Sequence, residues 1–489
     1  MENQLTLGLA KIGDLLLRNC ITQVSDGQPL SDVVLSIPAY QRPYKWTGKH
    51  VNQLFDDIVL AKSENKEVYR VGTLILHHDG ETGRYDIVDG QQRTISFALL
   101  LHALEAGPID FLSQQLAANP FNARNVPNNH RAFVRRLKSF DKESKDKLRD
   151  YITDNCELIV VITDDLSEAF QFFDSQNARG KKLYPHDLLK AYHLREMSGL
   201  DAELTEKVVK TWEDMDQREL SGLFTDYLYR LREWVKGNRA LELDEHNIDT
   251  FKGVAASDNY PYAQYYKGAF AYADDLNRSA VPFVTGLPRL RPFQLNAPIV
   301  AGKPFFDYAK HYFDILKDIQ NNDKYEGYLI NDNKIVKTLD LRAYRNGVGN
   351  RITRLLFDAS VLLYADRFCP ETPSKRDLEL LDQFVDFAFI WAYSMRAQYR
   401  NVGWLVAQNY IMGTCSKEGV LNAFNLYKTI SEADSPMTLL SVLSDRILPL
   451  PADRIVARQD NIDEQDEETG VCRNYLHFFK DRGFWGSMK

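Results

Sequence analysis

The sequence predicts an α+β protein, in which an N-terminal stretch mixes strands with helices and a longer C-terminal stretch is helical throughout. Three observations carry that expectation. β-rich runs alternate with helical patterns up to about residue 180. The turn-rich DGETG at 79–83 sits between two such runs and predicts a hairpin. Beyond about Leu183 almost every segment reads as helix, rich in Leu, Tyr and Trp. At 489 residues the chain exceeds what one hydrophobic core supports, so two domains are expected. They are placed at 1–180 and 181–489, with an internal break in the second near 280–305.

Taken in order, residues 1–30 read as a helix, because Leu5, Leu9, Ile12, Leu16 and Leu17 fall near helical spacing before the turn-rich SDGQP. VVLSIPAY (33–40) suggests a strand, and Pro38 and Pro43 preclude a helix through this region. KHVNQLFDDIVLAK (49–62) is amphipathic and helical. YRVGTLILHH (69–78) and RYDIVDG (84–90) form the two arms of the hairpin, and TISFALLLHALE from Thr94 turns helical. CELIVVITD (156–164) is a further strand, followed by the helical SEAFQFFDSQNARG. Polar breaks near 236–262, 279–304 and 369–376 divide the helical remainder, and the acidic DNIDEQDEETG (460–470) reads as a solvated loop.

Composition narrows the function classes. A net charge of −8 and a pI near 5.8 exclude a globally basic polyanion binder, so any DNA contact has to be a local patch. The five cysteines are scattered, with no CxxC or Cys/His cluster of zinc spacing, and point to reduced thiols in a cytoplasmic setting. The acidic, helical-patterned N-terminus argues against a secretory signal. No stretch approaches the roughly 20 apolar residues of a membrane span. There is no GxxxxGK[ST] loop, no GxGxxG after a strand and no GxSxG elbow. His77 and His78 are adjacent on a strand and point to opposite faces, which is poor geometry for a shared metal.

Three segments combine residue types suited to chemistry. DGQQR (Asp89–Arg93) stands where a strand ends and a helix begins, a place that exposes backbone N–H groups and the positive end of the helix dipole. There Arg93 offers a planar fork for phosphate oxygens, Gln91 and Gln92 add neutral donors and acceptors, and Asp89 suits a metal ion or a water. The same residues equally suit a plain helix cap, with Asp89 capping, Gly90 turning and Arg93 pairing on the surface. IPAYQRPYKW (37–46) interleaves Tyr40, Tyr44 and Trp46 with Gln41, Arg42 and Lys45, the mixture of stacking faces and cations used on nucleic acids. It also fits a Pro-containing edge strand with inward aromatics. FFDSQNARGKKLYPHDLLKAYHLRE (172–196) sets Asn177, Arg179 and Gly180 in a polar turn ahead of a helix bearing Asp187 and Lys190. That turn is either a clamp on a ligand or an ordinary helical hairpin. Arg131, Arg135 and Arg136, beside His130 and Lys138, form either a phosphate-binding stripe for DNA or a solvated helix face.

Together, and in this order, IPAYQRPYKW, IVDGQQRTISF and FFDSQNARGKKLYPHDLLKAY resemble the N-terminal domain of GmrSD-type type IV restriction endonucleases, over about residues 10–235. The resemblance implies a ParB/sulfiredoxin-like fold for the N-terminal domain and an NTPase that binds GTP or ATP with Mg²⁺ and is coupled to recognition of modified phage DNA. Carried over residue by residue, it implies catalytic roles for Asp89, Gln91, Gln92 and Arg93, with Asp89 at the metal. It implies cofactor contacts for Gln41, Arg42, Gly90, Arg93, Asn177, Arg179, Gly180, Asp187 and Lys190. Fused members of that family carry a C-terminal HNH nuclease. Here only His477 follows His311, without a second His nearby, so cleavage is expected to need a separate HNH-type nuclease subunit. Two alternatives stay open at this level: a nucleotide-gated DNA-binding adaptor without turnover, and a DNA-nicking enzyme using the same pocket. Homo-oligomerisation is likewise left open.

Overall fold

The computed structural model describes residues 5–38, 41, 43–80, 82–113, 120–165, 168–169, 184–197, 202–244, 247–278, 290–320 and 334–486. Contacts along the chain divide it into two units, 1–183 and 184–489. No helix among the described residues is long and apolar enough to cross a membrane.

The first unit is built on a six-stranded mixed sheet. Its strands are β1 (Thr6–Lys11), β2 (Gln23–Val24), β3 (Leu35–Ser36), β4 (Tyr69–Asp79), β5 (Arg84–Asp89) and β6 (Cys156–Thr163), arranged β2-β1-β6-β4-β5-β3. β4 and β5 form the expected hairpin. Gly83 adopts φ +67° at its turn and donates its N–H to Asp79 O at 2.7 Å. β6 runs parallel to β4, so the chain between them has to cross over, and it does so through helices. His78 pairs with Asp164 and stacks on Tyr85, whereas His77 lies opposite Asp86 in the ladder, consistent with opposite faces.

Among its described residues this unit carries the helices α1 (Ile12–Leu17), α2 (Gly48–Ser63), α3 (Gln91–Ala103), α4 (Pro120–Leu137) and α5 (Lys142–Asn155). Alternate strand residues Leu74, Leu76, Ile87, Leu158, Val160 and Ile162 share one core with Phe55, Phe97, Leu100, Phe133 and Ile152 from the helices. α2 starts at a capping box between Thr47 and His50, and α5 starts at Asp141, whose carboxylate accepts from Ser144 N–H at 2.8 Å.

The N-terminus departs from the expected helix over 1–30. Thr6–Lys11 is a strand, paired antiparallel with β6 so that Leu9 lies across from Ile159. Among the described residues of that stretch only Ile12–Leu17 is helical. The leucines at helical spacing belong to two successive elements, and ladder pairing with β6 overrides the local pattern. The strand read at 33–40 likewise shrinks to Leu35–Ser36, with Ala39 and Tyr40 outside the described residues.

The second unit is all helix apart from connecting loops and isolated bridges, among its described residues. Two long helices, Val348–Phe368 and Lys375–Gln398, pack together, with Tyr364 stacked on Phe384 at 4.3 Å. Trp391 and Tyr393 are buried in this core. Trp404 is only half-buried and carries the Arg230 guanidinium 3.6 Å from its ring. A second aromatic cluster joins Trp212, Phe224, Phe251, Phe305 and His193, whose ring stacks on Phe305 at 3.7 Å. A π-helical turn, Leu223–Leu228, is inserted between Gln217–Gly222 and Tyr229–Lys236. The acidic stretch 460–470 is turns and loop, as read from its composition.

Candidate functional site

The junction between β5 and α3 is made by one residue. Gly90 takes φ +97°, a left-handed conformation that turns the strand into the helix within one step. A Cβ there would stand 2.9 Å from Leu74 Cδ1 and 3.1 Å from Thr73 O, so close approach to β4 demands glycine as well. Gly90 O accepts the first helical bond, from Thr94 N–H at 2.9 Å. The first N–H groups of α3 then lie at the end of the sheet without partners inside the helix.

Asp89 and Arg93 flank this turn. Arg93 Nη2 lies 3.6 Å from Asp89 Oδ2, and Nη1 donates to Val71 O at 3.2 Å. Neither is sealed away: their side chains are 24% and 26% exposed. An exposed i,i+4 ion pair of this length contributes little stability, so the two charges remain available to a ligand.

The two glutamines differ sharply. Gln92 Oε1 accepts from Lys45 N–H at 2.8 Å and Trp46 N–H at 3.1 Å, and Nε2 donates to Pro43 O at 3.2 Å. Both ends of its amide hold residues 43–46 against α3. Gln91 is equally buried, but its Oε1 has no hydrogen-bond partner among the described residues. An unpaired buried acceptor is costly, and such groups concentrate where a ligand or water completes them.

The IPAYQRPYKW segment is pinned from several sides. Gln41 Nε2 donates to Ile87 O at 2.8 Å and Val88 O at 2.7 Å, which fixes the segment beside the last residues of β5. Tyr44 is fully buried. Its hydroxyl meets Ser96 Oγ at 2.7 Å and accepts from Asn129 Nδ2 at 3.0 Å, and burial pushes its pKa up. Tyr44 is therefore corrected from a DNA-facing residue to a core residue. Trp46 is half-buried and stacks on His50 at 5.8 Å, while Lys45 is exposed. Three asparagines of α4 complete the clamp: Asn122 Oδ1 accepts from Tyr44 N–H, Asn125 donates to Tyr44 O, and Asn129 donates to Trp46 O. Tyr40 and Arg42 lie outside the described residues.

Asn177, Arg179 and Gly180 also lie outside the described residues. Asp187 and Lys190 fall in the second unit. Asp187 caps its own helix, accepting from Tyr184 N–H at 3.2 Å. Lys190 Nζ meets Glu213 Oε1 at 2.7 Å with both side chains under one-tenth exposed, so its charge is already neutralised inside the protein. On α4, Arg131 and Arg135 are exposed and hydrogen-bond along their own helix. Arg136 instead pairs with Asp56 and lies 4.7 Å over the Phe55 ring, tying α4 to α2. Burial and the neighbouring His102 hold the pKa of His130 down. His477, as expected for a lone histidine, is internal: Nδ1 meets Ile462 O at 3.0 Å, and Nε2 lies 2.7 Å from both Gln465 and Asp481.

Sequence reasoning missed the three asparagines, Ser96 and Gly72. Gly72 sits inside β4, where the register against β6 shifts, with φ +131°. A glycine interrupting a strand pattern is itself a signal of a bulge or a close approach.

No curated protein matches the chain. Residues 21–194 match the family described as GmrSD restriction endonuclease, N-terminal domain, which contains the β5–α3 junction, the clamped 41–46 segment and α4. Residues 204–456, just over half of the chain, match a family of unknown function, DUF7834. The chain therefore belongs to the DUF7834 family and carries, ahead of that region, the N-terminal domain of the GmrSD-type restriction endonucleases.

Proposed function

We propose that the first unit binds and hydrolyses a nucleoside triphosphate, ATP or GTP, at the β5–α3 junction, as the sensor subunit of a type IV restriction system directed at modified phage DNA. The observation that carries this reading is the pairing of a partly exposed Arg93–Asp89 couple with the N-terminus of α3 and the unpartnered Gln91 Oε1. Arg93 and the first N–H groups of α3 grip phosphate oxygens, since both supply donors and positive charge at the same end of α3. Gln91 Oε1 accepts from a donor that enters the site, either the attacking water or an N–H of the nucleotide.

The residues present fit Mg²⁺ of the kind that arrives with its nucleotide. Among the described residues no cluster of three or more potential ligands exists, but Mg²⁺ in such sites is commonly held by one or two carboxylates plus phosphates and waters. Asp89 would be the protein ligand, and the ion would supply neutralisation of phosphate charge during transfer. Gln41, Gln92 and the asparagines of α4 act by holding the neighbouring segment in place. Cleavage of DNA falls, on this reading, to a separate HNH-type nuclease subunit, with Lys45, Arg131 and Arg135 as the exposed cations offered to DNA.

The test is a binding and phosphate-release panel across ATP, GTP, CTP and UTP with Mg²⁺, using the full chain and its Arg93→Ala and Asp89→Ala variants. Binding of at least one nucleotide, weakened tenfold or more by Arg93→Ala, is expected, with phosphate release lost in Asp89→Ala. Absence of binding by all four nucleotides would overturn the reading. Binding without release in the wild type would leave a nucleotide-gated switch in its place.

A further inference from the structure

The guanidinium of Arg93 occupies space that a side chain on β4 would otherwise fill. A Cβ built on Gly72 would lie 1.5 Å from Arg93 Nη1 and 2.7 Å from its Cζ, distances that no real pair of atoms tolerates. The Arg93 guanidinium thus lies against β4 in the space left by the missing side chain, at the point where β4 bulges against β6 between Arg70 and Gly72. The neighbouring Val71 carbonyl accepts from Nη1 at 3.2 Å, and Asp89 stands 3.6 Å from Nη2 on the other side. A long arginine side chain has many rotamers to lose, so the open space at Gly72 lets its donors settle there, and a side chain at position 72 would turn them elsewhere.

We infer that Gly72 is the positioning residue for Arg93, so that the strength of phosphate binding at the β5–α3 junction depends on position 72 having no side chain. The inference rests on the nucleotide-binding reading above. Backbone conformation supplies a competing reason for glycine, because φ +131° lies outside the left-handed helical region that other residues can enter. The two reasons predict different things. Backbone strain at position 72 is indifferent to the residue at 93, whereas a clash with the guanidinium disappears once that group is removed.

A double-mutant cycle on the full chain separates them: wild type, Gly72→Ala, Arg93→Ala and the double variant, each measured for Tm and for affinity toward fluorescent ATP and GTP analogues with Mg²⁺. Gly72→Ala should weaken nucleotide binding about as much as Arg93→Ala, tenfold or more, and the double variant should bind no worse than Arg93→Ala alone. The Tm drop caused by Gly72→Ala should at least halve when residue 93 is alanine. Equal Tm drops in both backgrounds, or full nucleotide affinity in Gly72→Ala, overturn the inference. If Gly72→Ala fails to fold, recovery of folding in the double variant supports it, and failure of both counts against it. If Arg93→Ala leaves affinity unchanged, the nucleotide reading fails at Arg93, while the Tm coupling still decides whether Gly72 makes room for that side chain.

Discussion

Adjacent glutamines of identical chemistry, Gln91 and Gln92, should respond in opposite ways to the same truncation. Gln92→Ala removes three hydrogen bonds, to Lys45 N–H, Trp46 N–H and Pro43 O, at 2.8, 3.1 and 3.2 Å. At about 0.5–1.5 kcal/mol net for each bond, the loss is about 2–4 kcal/mol. For a unit of this size each kcal/mol lowers Tm by roughly 2–4 °C, so the first unit should melt on the order of 10 °C lower. Gln91→Ala breaks no bond at Oε1, and the relief of a buried unpaired acceptor, about 1–3 kcal/mol, offsets the methylene packing it forfeits. Its stability should stay within about 1 kcal/mol of wild type, while nucleotide affinity falls. Calorimetry reads the first comparison. Hydrogen exchange of the Lys45 and Trp46 amides reads the second, since Gln92→Ala should deprotect both and Gln91→Ala neither. Equal destabilisation by the two variants, or persistent protection of those amides in Gln92→Ala, would refute the division of labour drawn here.

Two further outcomes follow from the second unit. His193 is fully buried, donates from Nε2 to Phe251 O at 3.1 Å and accepts at Nδ1 from Gly302 N–H at 3.2 Å, and burial holds its pKa down to about 3. Unfolded, the same ring titrates near 6.5, so below that pH the unfolded chain takes up a proton that the folded one refuses. Stability is therefore complete above 6.5 and falls as pH drops toward 3, by about 2 kcal/mol at pH 5. Urea midpoints at pH 7.5 and 5 should show that loss shrinking in His193→Gln; an identical loss in variant and wild type would contradict it. For the buried Lys190–Glu213 pair, Lys190→Met alone should cost about 3–5 kcal/mol by taking the cation away from a buried carboxylate, and Glu213→Leu added to it should restore most of the stability. Wild-type stability with lost nucleotide binding in Lys190→Met would instead assign Lys190 to the ligand.

The strand–Gly–helix order of DGQQR is visible because Gly90, the β-rich run before it and the apolar run after it are local signals, and the structure places the turn there. Which glutamine is held by the fold and which keeps an unpaired oxygen was not visible, since QQ presents the same groups twice and only the packing of residues 43–46 distinguishes them. The aromatics of 37–46 were open to two readings, and the buried hydroxyl network of Tyr44, Ser96 and Asn129 selects the inward one for Tyr44. The N-terminal strand was missed because Leu5 and Leu9 satisfy a helical spacing by coincidence, and its true partner lies about 150 residues away on β6.

By itself the sequence determined the α+β class, the hairpin, the helical remainder and the position of the Asp–Gly–Gln–Gln–Arg turn, all of which rest on periodicity and turn chemistry within a few neighbouring residues. Tertiary structure alone decided that Gln92 and Tyr44 brace the fold, that Lys190 is neutralised by Glu213, and that the Arg93 guanidinium occupies the space a side chain on Gly72 would take. Those outcomes depend on which residues distant in sequence come within hydrogen-bond or van der Waals reach, and no local pattern encodes that distance.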